Sequence, residues 1–238
     1  MVKLPKLSMI VVLIFAVWCA IIYVLFGAFA LQSDARARAM FGMVTGLLVS
    51  WVVIGGTMMY AFRNHAKRIA QKVSMDWRLK FVIFATLMAL IEEAVTTTMT
   101  NMAPVLGVPI GEVYITASAN YLDVILFHSV IVFIPMFIVW AWLLSKYDFK
   151  PVAVFTLYGI TGVLAESITF GLQNIQMAGM WVFVYGLMVF LPAYSTPERD
   201  GLKRPNALHY VLAALAPFLL AIPVAVIVSV IHPAAIDF

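Results

Sequence analysis

Residues 7–31 read LSMIVVLIFAVWCAIIYVLFGAFAL, a run of 25 residues without a single charge. At 1.5 Å per residue a helix of that length spans about 37 Å, enough to cross a hydrocarbon core of about 30 Å. A barrel strand would instead alternate over about ten residues. This stretch makes lipid the solvent, and it has company. Runs of similar character recur at 40–62, 81–103, 121–145, 151–172, 179–194 and 207–232. Apolar residues make up 64% of the 238-residue chain and charged residues 11%, whereas soluble domains run at about half and about a quarter. The expected fold is therefore all-α, a polytopic transmembrane bundle of about seven helices forming a single domain over 1–238.

The charges between the runs set the orientation. Thirteen Lys and Arg residues fall on one side: Lys3 and Lys6, six between Arg63 and Lys80, Lys146 and Lys150, and Arg199, Lys203 and Arg204. The other side has only Arg36 and Arg38. Cytoplasmic loops keep the positive charge. The N-terminus is then cytoplasmic and, with an odd number of spans, the C-terminus is outside. The basic balance of +4 is thus a topology signal and not a nucleic-acid surface. The expected setting is the cytoplasmic membrane of a prokaryote, with membrane lipid as the surrounding partner. The first run also has features of a signal peptide, with Ala28-Phe29-Ala30 as a cleavage-like site. It is longer than the 7–15 residues of a usual signal core, so an uncleaved helix is expected.

Several features read as structure. Gly42 and Gly46 have the GxxxG spacing of close helix contact, which Gly55-Gly56 extends. Pro135, Pro192, Pro217 and Pro223 are expected to kink their helices. Trp51, Trp140, Trp142 and Trp181 are bulk or interfacial anchors. Ile69, Val73 and Trp77 repeat at four-residue spacing among basic residues, which would suit an interfacial helix, but a charged topology anchor is the preferred reading. Residues 104–119, with Pro104, Gly107, Pro109 and Gly111, form an outer loop. Cys19, the one cysteine, permits no intrachain disulfide and no paired-thiol site. A receptor would carry its N-terminus outside, and an opsin would need a lysine in the last span. Neither fits.

Chemistry is expected where charge enters lipid. Glu92, Glu93, Asp123, His128 and Glu166 all lie inside expected spans, each at a cost of about 2.5–3.5 kcal/mol near the bilayer centre. Glu93 lies about 18 Å from the inner end of its span, His128 at nearly the same height, and Glu166 at about 22 Å. Asp123 sits nearer the outer interface. Residues three, four and seven apart share a helix face. Glu93 shares its face with Thr97 and Thr100, and Glu166 with Gly159, Gly162, Thr169 and Gln173. Asn120, Asp123 and His128 fall within about 140° of one another at about 100° per residue. The expected site is one polar pocket holding Glu92, Glu93, His128 and Glu166, supported by Thr97, Asn120 and Asp123. One carboxyl would serve as an acid and the other as a base activating water, with His128 as oxyanion donor or second base. A divalent metal has ligands here, but a single imidazole at that depth does not favour zinc. A hydrogen-bond network that merely holds helices together would use the same residue types.

A Glu-Glu pair in one span followed by a histidine in the next resembles the CAAX-type glutamic intramembrane proteases, whose motifs are EExxxR, FxxxH and HxxxN. Glu92-Glu93 matches the first pair, with Thr97 at the Arg position. His128 matches the second motif's histidine, with Val124 at the Phe position. Glu166 occupies the span where the third motif would fall. The resemblance implies hydrolysis of a peptide bond within the membrane by Glu-activated water. The leading expectation is a membrane-embedded hydrolase or protease-like enzyme acting on a membrane-embedded peptide or lipid. A proton- or cation-coupled transporter using the same carboxylates and a non-catalytic membrane subunit are the alternatives.

Overall fold

The structure, a computed structural model, describes residues 6–232, with side chains from residue 9 onward. Lys3, part of the charge count, lies outside the described residues, as does the side chain of Lys6. Nine α-helices follow in order: α1 (Lys6–Gln32), α2 (Ala35–Leu47), α3 (Gly56–Lys72), α4 (Trp77–Asn101), α5 (Tyr121–Phe127), α6 (Val130–Lys146), α7 (Pro151–Phe170), α8 (Ala178–Tyr194) and α9 (Ala207–Ile231). A π-helical segment, Leu48–Gly55, welds α2 and α3 into one 38-residue rod. Among the described residues there is no strand, only an isolated bridge between Tyr147 and Lys203.

Five helices are long and apolar enough to cross a membrane, and the bent pair α5–α6 makes six. The expected span 81–103 lies on α4, which has 25 residues but stands outside that set of six. Side chains that water would reject remain on the outside. Leu13, Val24, Leu25, Leu219 and Val230 are all exposed, and such a continuous apolar surface suits lipid. The most apolar window of α1 is 0% buried, against 67% for α8. α8 is therefore the central helix and α1 a peripheral one. Trp140, Tyr158 and Phe137 are the largest fully buried side chains among the described residues.

Local signals fix the helix ends. Asp76 caps α4 by accepting from the Arg78 and Leu79 amides at 2.9 and 3.4 Å. Asn206 and His209 form a reciprocal capping box at the start of α9. Each such cap is worth about 1 kcal/mol. The close pair α7 and α8 depends on missing side chains: a Cβ on Gly159 would stand 2.6 Å from the Val182 carbonyl oxygen. The Gly42 and Gly46 stripe packs as expected, against Leu106 and Met99.

The three basic segments meet at one end. The Lys203 amide donates to the Lys146 carbonyl at 3.1 Å and the Asp148 amide to the Lys203 carbonyl at 3.0 Å. Arg199 donates to the Leu144 carbonyl and stands 4.8 Å from the Trp77 ring centre. The opposite end holds the Arg36–Glu112 ion pair at 3.0 Å and the bond from Trp18 Nε1 to the Gln176 carbonyl at 3.0 Å.

Three local expectations change. The segment after residue 62 is not a separate interfacial helix: it is the continuation of α3 up to Lys72, followed by a short turn. The expected span 121–145 breaks at His128–Ser129 with a 45° bend. That bend is not at Pro135, and the helical assignment runs without interruption through Pro135, Pro192, Pro217 and Pro223. His128 departs from helical geometry with φ −133° and ψ −51°, so the turn is made one residue after α5 ends. Finally, the outer loop does not lie flat. Val108 and Val113 are buried, and the Ile115 amide donates to Thr100 Oγ1 at 3.4 Å, which folds the loop back onto the end of α4.

Candidate functional site

α4 turns one polar face into the bundle. Glu92, Glu93, Thr96, Thr97 and Thr100 are all buried, the two glutamates at 4% and 6% exposure. The four-residue spacing of Glu92 and Thr96 stacks them, and Thr96 Oγ1 donates to Glu92 Oε1 at 2.7 Å. Glu93 is held more loosely. Thr116, from the folded-back loop, donates to its Oε2 at 3.4 Å, and the Ser129 hydroxyl, which itself donates to the Val124 carbonyl at 3.2 Å, lies near it at the α5–α6 break. The Thr97 hydroxyl, on the same face, is buried with no hydrogen-bond partner among the described residues.

α7 and α8 supply the opposite wall. A Cβ on Gly162 would lie 2.3 Å from the Tyr185 ring. The bare glycine lets that ring sit flush against α7, and the Tyr185 hydroxyl then donates to Glu166 Oε1 one turn further on. Glu166 is half-buried. Its carboxyl lies within electrostatic reach of both Glu92 and Glu93, as does the Tyr185 hydroxyl. Tyr158, fully buried, is close enough to Glu92 to feel its charge. Three carboxyl groups from two helices thus lie within electrostatic reach of one another, beside tyrosine, threonine and serine hydroxyls. Among the described residues no Lys or Arg pairs with any of them. Like charges without a counter-ion stay together only when protons or a cation neutralise part of the set. Such a cluster is suited to storing and moving protons.

His128 goes elsewhere. Its Nε2 lies 3.5 Å from Asp123 Oδ2, while Asp123 Oδ1 lies 2.7 Å from His232 Nε2. The two imidazole rings meet edge to face at 5.5 Å. Among the described residues, no contact joins His128 to Glu92, Glu93 or Glu166. The structure therefore divides the expected site: Glu92, Glu93 and Glu166 lie within electrostatic reach of one another, and Asp123 and His128 form a second cluster with His232. Asn120 is a cap, accepting from the Leu122 and Asp123 amides at 3.0 and 3.4 Å. Thr97 contributes its carbonyl to Asn101 Nδ2 at 3.0 Å.

Sequence reasoning missed Thr116, Ser129, Tyr158, Tyr185 and His232. One signal for His232 was available. Alternating spans place the start of 121–145 and the end of 207–232 at the same face, so the single imidazole at that level had a possible companion. Tyr185 had a weaker signal, lying between Gly179 and Gly186 on a span whose glycines admit close neighbours.

An open groove of about 620 Å³ runs along the lipid side of α4, lined by Ser50, Leu87, Leu90, Ala94, Thr98 and Tyr121 among others. Tyr121 donates its hydroxyl to the Leu90 carbonyl at 2.9 Å and lies within electrostatic reach of Glu93. It thus lines the groove while lying within electrostatic reach of one member of the carboxyl cluster. Comparison with known proteins finds no matching family model, no similar curated protein and no similar solved structure.

Proposed function

We propose that the chain is a membrane-embedded hydrolase of protease-like type, crossing a prokaryotic cytoplasmic membrane seven times with its N-terminus inside and its C-terminus outside. In this topology α4 is a full crossing, and its charged groups are tolerated because they face the bundle and not lipid. The meeting of the three basic segments 63–80, 146–150 and 199–204 at the Lys146–Lys203 end supports the orientation.

The observation that carries the enzyme reading is that Glu92 and Glu93, both buried, lie within electrostatic reach of Glu166 and of the Tyr185 hydroxyl bonded to it. Glu93, held by a long 3.4 Å bond from Thr116 with the Ser129 hydroxyl also near it, is the base that takes a proton from water. Glu166, with Tyr185 on its oxygen, supplies the proton donor for the leaving group. Glu92, fixed by Thr96, steadies the cluster's charge. A membrane-embedded peptide or lipid approaches along the groove beside α4 and passes Tyr121. General acid–base groups of this kind contribute about 10²–10⁴-fold. Glu93→Gln and Glu166→Gln should each lower hydrolysis of a membrane-peptide or lipid panel by at least about a hundredfold, with the protein still inserted and monodisperse. Full activity in both variants would overturn the assignment.

A second reading is favoured by the missing cation: a proton- or cation-coupled carrier would keep its carboxyls free of Lys and Arg partners so that the coupling ion can neutralise them. Liposome uptake that vanishes when the pH gradient is clamped, with no hydrolysis of the same panel, would select it.

A further inference from the structure

Asp123, His128 and His232 are placed to bind one ion. Each offers one ligand atom, and these atoms all lie within 4.8 Å of one another. Zinc bonds of about 2.0–2.2 Å at tetrahedral angles put neighbouring donors about 3.3–3.5 Å apart. The three donor atoms stand within 4.8 Å of one another, with His232 Nε2 at 2.7 Å from Asp123 Oδ1 and His128 Nε2 at 3.5 Å from Oδ2, so side-chain rotations that bring one carboxylate oxygen and both nitrogens to a common point would close the site. Both histidines present Nε2, which leaves each Nδ1 free to be oriented by an outer partner. Phe127 stacks on the His232 ring at 4.6 Å and 28°, which restricts its rotation.

The three ligands come from helix ends, where side chains can converge without backbone strain. Asp123 is in the first turn of α5, His128 is the residue that closes α5, and His232 closes α9. The cluster is reachable from solvent: the side chain of His232 is 43% exposed, while those of Asp123 and His128 are 23% and 13% exposed. A plain Asp–His hydrogen bond would need only one imidazole. Here two imidazoles from different helices flank one carboxylate, so side-chain rotation alone can turn all three donors to one point.

We infer that Asp123, His128 and His232 form a binding site for a single divalent transition-metal ion, of which Zn²⁺ best suits the nitrogen and oxygen donors. Three protein ligands leave a fourth position for water. The ion ties the end of α9 to the α5–α6 break. The site is separate from the carboxyl cluster and does not depend on the hydrolase reading.

The test uses the full chain in detergent micelles, stripped with chelator and titrated with Co²⁺ and then Zn²⁺ alone. One equivalent of Co²⁺ should bind with the visible absorption of a tetrahedral nitrogen and oxygen site, and one equivalent of Zn²⁺ should displace it. His128→Ala, His232→Ala and the near-isosteric Asp123→Asn should each weaken Zn²⁺ binding by at least a hundredfold. His65→Ala and His209→Ala should bind as the parent does. If an alanine variant elutes as aggregate, His128→Gln and His232→Gln replace it. No saturable binding by the parent, unchanged affinity in the His128 and His232 variants, or equal loss in all four histidine variants would overturn the site.

Discussion

The two polar clusters are built from similar residue types in opposite ways. The carboxyl cluster is assembled from the middles of long helices. Its members are fixed by four-residue spacing on α4, by Gly162 and Glu166 one turn apart on α7, and by the close approach of α8. The Asp123–His128–His232 cluster is assembled from helix ends, where one backbone turn decides direction. The first is surrounded by hydroxyls and lacks cations; the second pairs an acid with two imidazoles and reaches solvent. Interior placement suits groups that trade protons away from water. A rim placement suits an ion arriving from outside.

That contrast can be broken in graded steps. The largest effect should come from Glu93→Gln or Glu166→Gln, which should cut turnover by about 10²–10⁴ while leaving Zn²⁺ affinity at the rim within a factor of two or so. Next is Gly159→Leu. Its side chain would meet the Val182 backbone, and overpacking of this sort costs about 1–3 kcal/mol or more. A thermal-shift measurement should show that loss, with hydrolysis declining before rim metal binding does. Thr96→Val removes the 2.7 Å bond to Glu92 and leaves a buried acceptor short of a partner, a loss of about 1–3 kcal/mol measurable by chemical denaturation in micelles. The smallest effect should come from Arg36→Ala. Its ion pair with Glu112 is at the same end as the rim cluster but exposed, so stability should change by about 0–1 kcal/mol and metal affinity not at all.

Much of the scaffold was legible in the sequence because lipid imposes a length on apolar runs. The run 7–31 became α1 over Lys6–Gln32, and 207–232 became α9 over Ala207–Ile231. The polar face of α4 was legible for the same reason, since helical spacing alone aligns Glu92 with Thr96 and Glu93 with Thr97. The Gly162–Glu166 face was legible too, although its partner Tyr185 was not. Which side chain meets a helix face depends on how the neighbouring helix is rotated, and spacing within one helix does not report that. His128 shows the limit most clearly. Its height matched that of Glu93, but α5 ends at Phe127, and the break turns the ring toward the end of α9. Height along the membrane normal is set by residue count; direction is set by the backbone at that residue. The loop that delivers Thr116 to Glu93 was hidden because nothing in residues 104–119 signals that it folds inward.

The central claim is that Glu93 on α4 and Glu166 on α7 work as one unit. A double-mutant cycle on turnover tests it most directly. If they share one site, the double variant Glu93→Gln/Glu166→Gln should be scarcely slower than the worse single variant, because removing either carboxyl already disables the pair. Losses that multiply, so that the double variant falls by the product of the two single effects, would mean that the two groups act apart and would contradict the account.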